Sequence, residues 1–185
     1  MAAKTKKKAA RAAAKMSNTG QSDAVALLEA DHREVEGYFG DYKGAEKSDK
    51  KLLANKICAA LRVHAQIEEE LFYPAARAAT KDSHLLDVAT VEHAGAKVLV
   101  AEIEAMQPGM PLYDAKVTVL GEQIHHHVQE EENDLFPKVR ETDLDLQALG
   151  EEMAERKTEL MALLAKAAFA SSDLKSLKAR KAVKP

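Results

Sequence analysis

The chain has 185 residues, 46% hydrophobic but only 4% aromatic, with eight Gly, five Pro and one Cys. That make-up fits one domain with an aliphatic core, favours helices over sheet, and excludes an intrachain disulfide. No apolar run reaches the ~20 residues a membrane span needs and no secretory pattern is present, so a cytoplasmic protein without a membrane partner is expected.

The net charge of −3 hides a segregation, because the two chain ends together carry +10 and the middle −13. Residues 1–20 hold Lys4, Lys6, Lys7, Lys8, Arg11 and Lys15 without an acid or an apolar period, and are expected to be a basic disordered tail. From Ser22 the stripe Val25, Leu28, His32, Val35, Phe39 predicts an amphipathic helix, with Gly40 and Gly44 ending it. A second helix is expected from Ser48, an N-cap type, through Ile57, Leu61, His64, Glu68 and Phe72, with Pro74 kinking or ending it. A third begins near Asp82 and Ser83 and carries Leu86, Ala89, His93, Ala96, Val100 and Ile103 until QPGMP at 107–111. The fourth starts near Asp114 and runs through Leu120, Ile124, His127, Glu131 and Leu135 to Pro137. Thr142 and Asp145 suit the cap of a fifth helix within 143–170, and 171–185 read as a second basic disordered tail.

A repeat underlies this order. Shifting by 61 sets His32 on His93; shifting by 63 sets HAQIEEELFYP at 64–74 on HVQEEENDLFP at 127–137. Two similar helical hairpins over 21–142 make an antiparallel up-down-up-down four-helix bundle the simplest burial of four apolar stripes.

The stripes contain polar residues where apolar ones belong. Residues i and i+4 share a helix face, so His64 with Glu68, and His127 with Glu131, point into the bundle together. His32 and His93 sit at the centres of the other two stripes. Buried carboxylates without positive partners are costly, and imidazole with carboxylate suits iron, manganese or zinc. The candidate metal residues are therefore His32, His64, Glu68, His93, His127 and Glu131. His125 and His126 point away from His127, His84 belongs at the surface, and Glu69, Glu70, Glu130 and Glu132 are expected to be solvated. Tyr38, Tyr42 and Tyr73 lie near the stripes as core residues or as hydrogen-bond donors to a small ligand.

These residues resemble the hemerythrin-like family in its HHE cation-binding branch, over about residues 22–140, through Asp31-His32, HAQIEEELFYP, Glu92-His93 and HVQEEENDLFP. The resemblance implies two iron ions in a non-haem centre, His32 and His64 on one, His93 and His127 on the other, with Glu68 and Glu131 bridging. Oxygen carriers of the family have a fifth histidine where this chain has Lys97. An ammonium group cannot ligate iron, so a more open second position is expected, suited to reaction with or sensing of O2, peroxide or NO.

No nucleophile–His–acid set, phosphate-cradling loop or CxxC pair occurs, so turnover is left open and a di-iron oxidoreductase is the enzyme reading. Two alternatives stand beside it: a sensor or scaffold whose basic tails bind nucleic acid or another acidic partner weakly, and a metal-free structural bundle. Oligomeric state is not legible in the sequence.

Overall fold

The computed structural model describes residues 22–81 and 83–182, with the helical backbone alone for residues 168 and 170–182. The first basic segment and Asp82 therefore lie outside the described residues. All regular structure in the described residues is helical. None of these helices is long and apolar enough to cross a membrane.

Helix α1 spans Ala24–Gly44. Asp23 caps it, its carboxylate accepting from the Ala26 N–H at 2.8 Å and from the Arg140 guanidinium at 3.0 Å. Gly40 lies inside this helix, and only Gly44 ends it. Helix α2 covers Lys47–Ile67. Its N-cap is Glu46, without a side-chain cap bond, so Ser48 falls within the first turn instead of before it.

Pro74 does not end the second helical run. The chain widens into a π turn at Glu68–Phe72, where the N–H of Tyr73 reaches back five residues to the carbonyl of Glu68, and continues as α3, Tyr73–Thr80. Pro74 follows that wide turn in the first positions of α3, where its missing N–H is tolerated. Lys81, at φ 57°, closes α3. Helix α4 spans His84–Ala105 and, after Leu112 at φ 68°, α5 spans Tyr113–Glu130. The second half repeats the device: a π turn at Glu131–Leu135, then α6, Phe136–Arg140, with Pro137 in its first turn.

Helix α7 begins at Leu146, with Asp145 accepting from the Ala148 N–H at 3.1 Å, and runs to Ala182. It passes the expected end at residue 170, and residues 171–182 of the expected disordered tail are helical; the segment SSDLKSLKARKA holds no Gly or Pro to stop it. Residues 183–185 lie outside the described residues.

Helices α1 and α2 pack on each other, α4 packs on α5, and α7 lies across α1 and α2. Gly150 permits that last approach, because a Cβ there would meet the Ala24 nitrogen at 2.6 Å and the Ser22 carbonyl oxygen at 2.7 Å. Two apolar clusters result. One gathers Leu28, Val63, Ile67, Phe72, Leu86, Ala89, Leu135, Phe136 and Met153; the other gathers Val35, Ile57, Leu61, Ala96, Val100, Leu120 and Ile124. His32 falls between Leu28 of the first and Val35 of the second, and His93 between Ala89 and Ala96, so a polar layer is sealed from both ends.

Candidate metal centre

All six inward residues meet in that layer. His32, His64, Glu68, His93, His127 and Glu131 are between 0% and 8% exposed, so whatever balances their charge has to come from within the layer. The Nε2 atoms of His32 and His64 stand 3.1 Å apart, and those of His93 and His127 3.2 Å apart. Glu68 Oε2 lies 3.2 Å from His64 Nε2 and 3.3 Å from His93 Nε2; Glu131 Oε2 lies 3.3 Å from His32 Nε2 and 3.5 Å from His127 Nε2. Each glutamate thus touches one imidazole of each pair. Ligand atoms of His32, His64, Glu68 and Glu131, and separately of Glu68, His93 and His127, lie within 4.8 Å of one another, close enough to share a metal ion.

The histidine tautomers follow from the outer partners. Glu132 Oε1 is 2.8 Å from His32 Nδ1, Glu69 Oε1 is 3.0 Å from His93 Nδ1, and Glu92 Oε2 is 2.9 Å from His127 Nδ1. Asp31 Oδ2 faces His64 Nδ1 at 3.6 Å. With Nδ1–H held by a carboxylate, His32, His93 and His127 each present an Nε2 lone pair to the layer, while His64 Nδ1 is buried without a hydrogen-bond partner. Lone pairs of imidazoles and oxygens of carboxylates then converge, with the Tyr73 hydroxyl the one phenol donor among the described residues there. Both oxygens of Glu68 and Glu131 Oε2 are buried without a hydrogen-bond partner. A cation with bonds of about 2.1 Å holds neighbouring ligands about 3 Å apart, the spacing seen here, so the donor set fits a transition metal.

In its metal-free form the layer holds protons in that place. Burial opposes charge on His64, yet Glu68, Asp31 and Glu131 push its pKa up to about 10. Burial likewise opposes charge on Glu68, but His64 and His93 hold its carboxyl well below the usual range. His127 is raised by Glu131 and Glu92 against the pull of burial. A metal ion and these protons compete for the same lone pairs.

Glu69 and Glu132, expected in solvent, are the main misplacement of the sequence reading. Each follows an inward glutamate at the start of a π turn and reaches a histidine of the other half. The repeat itself was the available signal: Glu69 and Glu132 are related by the same shift of 63 as the inward pair. Glu92 and Asp31, the acids just before His93 and His32, form the second such pair of partners. Glu70 is exposed as expected and pairs with Arg156. Lys97 turns outward, both Glu69 oxygens 2.6 Å from its Nζ, and stands behind His93 instead of in the layer. His84, His125 and His126 are exposed.

Of the three tyrosines, only Tyr73 reaches the layer. At about 100° per residue an α-helix would turn it about 140° from Glu68; the intervening π turn accompanies its burial. Its hydroxyl donates to Glu131 Oε1 at 2.9 Å and lies 3.3 Å from His93 Nε2. Burial and the glutamates Glu68 and Glu131 raise its pKa well above the ordinary value, so it is a neutral donor. Tyr38 bonds Glu34, and Tyr42 bonds Asp114. A cavity of about 200 Å³ opens onto the layer between Val35, Tyr38, Leu61, Ala96, Val100 and Ile124, and the four histidines line it too.

A family model for the hemerythrin HHE cation-binding domain matches residues 23–139, the span that builds this layer. The chain belongs to the hemerythrin HHE family. A crystal structure of an HHE domain-containing protein from Mycobacterium kansasii superposes with a TM-score of 0.64 at 28% identity, covering 75% of this chain and 87% of that one. An uncharacterised protein of Mycobacterium tuberculosis is 29% identical over 115 residues, 60% of this chain and 70% of its own. A DNA nickase of a Nostoc species is 27% identical over 115 residues; the match takes 62% of this chain but spans only 32% of that relative. Membership in the HHE family carries cation binding, and the clustered His and Glu residues are where this HHE chain has the donors for it.

Proposed function

We propose that this HHE protein holds two iron ions in its polar layer and uses them to react with or sense a small oxidant: O2, a peroxide or NO. His32 and His64 serve one ion, His93 and His127 the other, and Glu68 and Glu131 lie between them, inside an antiparallel up-down-up-down four-helix bundle. The observation that carries this reading is Glu68, fully buried, with both oxygens lacking a hydrogen-bond donor and one touching an imidazole from each pair. When bound, iron supplies redox and Lewis-acid chemistry. Manganese or zinc would satisfy the same donors; the apolar cavity opening on the histidines favours a small, weakly polar ligand and so a redox-active metal.

The chain's own residues supply the rest. Glu69, Glu92 and Glu132 fix His93, His127 and His32 in the tautomer that offers Nε2 inward, and Asp31 faces His64 Nδ1 with its charge. With both glutamates shared, each group has two imidazoles and two carboxylates, and Lys97, at the place of a fifth histidine, faces Glu69 and adds no donor to the second. Tyr73 holds the only phenol proton directed at the layer among the described residues, beside that same group, and can donate it to an incoming ligand. The apolar walls exclude bulk water from the approach.

Metal analysis with absorption spectra of the anaerobically reduced protein, before and after O2, peroxide and NO, tests the reading. Two irons per chain and new near-ultraviolet charge-transfer bands are expected; zinc alone, or spectra indifferent to all three oxidants, would overturn it. Lys97→His should shift the balance toward reversible O2 binding, and unchanged O2 and peroxide reactivity would remove the argument from the open position.

A second reading, weak nucleic-acid binding through the chain ends, is favoured by the six bases and no acids of residues 1–16 and by the name of the Nostoc relative. Gel shifts at low and high salt should separate the full chain from residues 17–170; equal behaviour would end it.

A further inference from the structure

The two halves differ where the acids behind His64 and His127 meet the surface. In the first half, Asp31 divides its oxygens between His64 Nδ1 and the ammonium of Lys157, which α7 brings down onto it. The neighbouring positions of α2, Val63 and Ile67, are 2% and 0% exposed and join the cluster that contains Met153 of α7. The shift of 63 converts Val63 into His126 and Ile67 into Glu130, and both lie at the surface.

Glu92 stands where Asp31 stands. Its Oε2 holds His127 Nδ1 at 2.9 Å; its Oε1 faces His126 Nε2 at 3.9 Å, and His126 Nε2 lies 3.3 Å from Glu130 Oε1. Among the described residues no lysine or arginine pairs with Glu92 or Glu130. The first half thus puts a fixed ammonium on the free oxygen of its acid, while the second surrounds the matching oxygen with an imidazole and a carboxylate. Donor atoms of Glu92, His126 and Glu130 lie within 4.8 Å of one another. A cavity of about 300 Å³ runs past His126 and Glu92, between Gly95, Ala96, Gln123 and Ile124, to His93 and His127. Hydrated cations fit such a volume, since a water occupies about 30 Å³.

We propose that Glu92, His126 and Glu130 form a surface acquisition site for a divalent first-row transition cation, which passes through this cavity to His93 and His127. One imidazole with two carboxylates suits Fe²⁺, Mn²⁺ and Zn²⁺, and exposure of His126 keeps binding weak and reversible. Glu92 touches both ends of the path, one oxygen on the surface cluster and the other on His127. The transfer half of this proposal rests on the di-iron reading above, whereas the surface site does not.

Two measurements on the full-length chain test it. Mn²⁺ titration of the iron-loaded protein, followed by electron paramagnetic resonance, should reveal one weak site that His126→Ala with Glu130→Gln abolishes and His125→Ala leaves intact. Anaerobic Fe²⁺ loading of chelator-stripped protein should reach the same final iron content in the double variant but about tenfold more slowly, because the focusing charge is gone. A weak Mn²⁺ site that survives the double substitution overturns the site. Equal loading rates overturn the transfer. Wild-type chain that takes up no iron in the layer yet keeps a His126-dependent Mn²⁺ site refutes the di-iron reading and the transfer together, and leaves the surface site supported.

Discussion

The first and second halves of the polar layer are built from one repeated pattern, yet they differ in three contacts. Phe136 of the second half stacks on His32 at 5.9 Å, but its counterpart Tyr73 brings a hydroxyl to His93. Arg33 backs Glu132 behind His32, whereas Lys97 backs Glu69 behind His93. Helix α7 seals the acid behind His64 with Lys157, and the acid behind His127 faces an exposed His126. The lesson is that the donors inside are nearly symmetric while their surroundings are not. One group has an apolar ring and a lysine behind its histidines; the other has a phenol beside one histidine and an exposed imidazole behind the other.

Removing what the halves share should have the largest effect. Glu68→Ala takes a carboxylate from both groups, and metal content is expected to fall to one ion or none, with affinity lost by more than the ~100-fold typical of an outer partner; retention of both ions would remove the bridging role. Next comes the seal on the first half alone. Gly150→Ala forces a methyl group against the backbone at Ser22 to Ala24 and should cost about 1–3 kcal/mol by overpacking, seen as a lower Tm with α7 loosened. An unchanged Tm would mean α7 does not depend on that close approach.

The pH response separates the metal-free from the metal-bound layer. His64, raised from 6.5 to about 10, contributes stability that is fully present below pH 6.5 and is lost as pH climbs toward about 10. Glu68, lowered from 4.5, contributes stability present above that value and lost as pH falls through its depressed pKa. Chelator-treated protein should therefore melt highest between these limits, while metal affinity rises with pH as the His64 proton leaves. Metal affinity flat with pH would contradict the competition.

Smaller effects probe the outer partners. Lys157→Ala removes a pair that is partly open to water and should cost about 1 kcal/mol in thermal unfolding, where His126→Ala in the second half costs nothing measurable. Lys97→Ala should likewise leave the free energy of unfolding within about 0.5 kcal/mol of wild type. On the proposed di-iron reading it should also change reactivity toward peroxide at the second group severalfold through Glu69 and His93, an effect that Arg33→Ala would not copy there.

Much of this was legible in the residues. Alternating spacings of three and four carry the helices, and His or Glu in the middle of an apolar stripe has no cheap burial except beside positive charge, so the six inward residues could be named from order alone. Pro74, expected to kink or end its helix, does not end it, and neither does Pro137, because a proline says only that a hydrogen bond is missing, not that the chain must stop; a π turn precedes each. Those turns also bring Glu69, Glu132 and Tyr73 to the histidines, which a 3.6-residue period cannot foresee.

Sequence by itself determined the all-helical character, the twofold repeat and the membership of the polar layer, because periodicity and burial cost act along one helix at a time. Tertiary structure alone decided which carboxylate holds which imidazole, where Lys97 points, and that α7 covers the first half while His126 and Glu130 stay open. Those are contacts between segments up to 126 residues apart, Asp31 and Lys157 among them, and no local rule specifies a partner that distant.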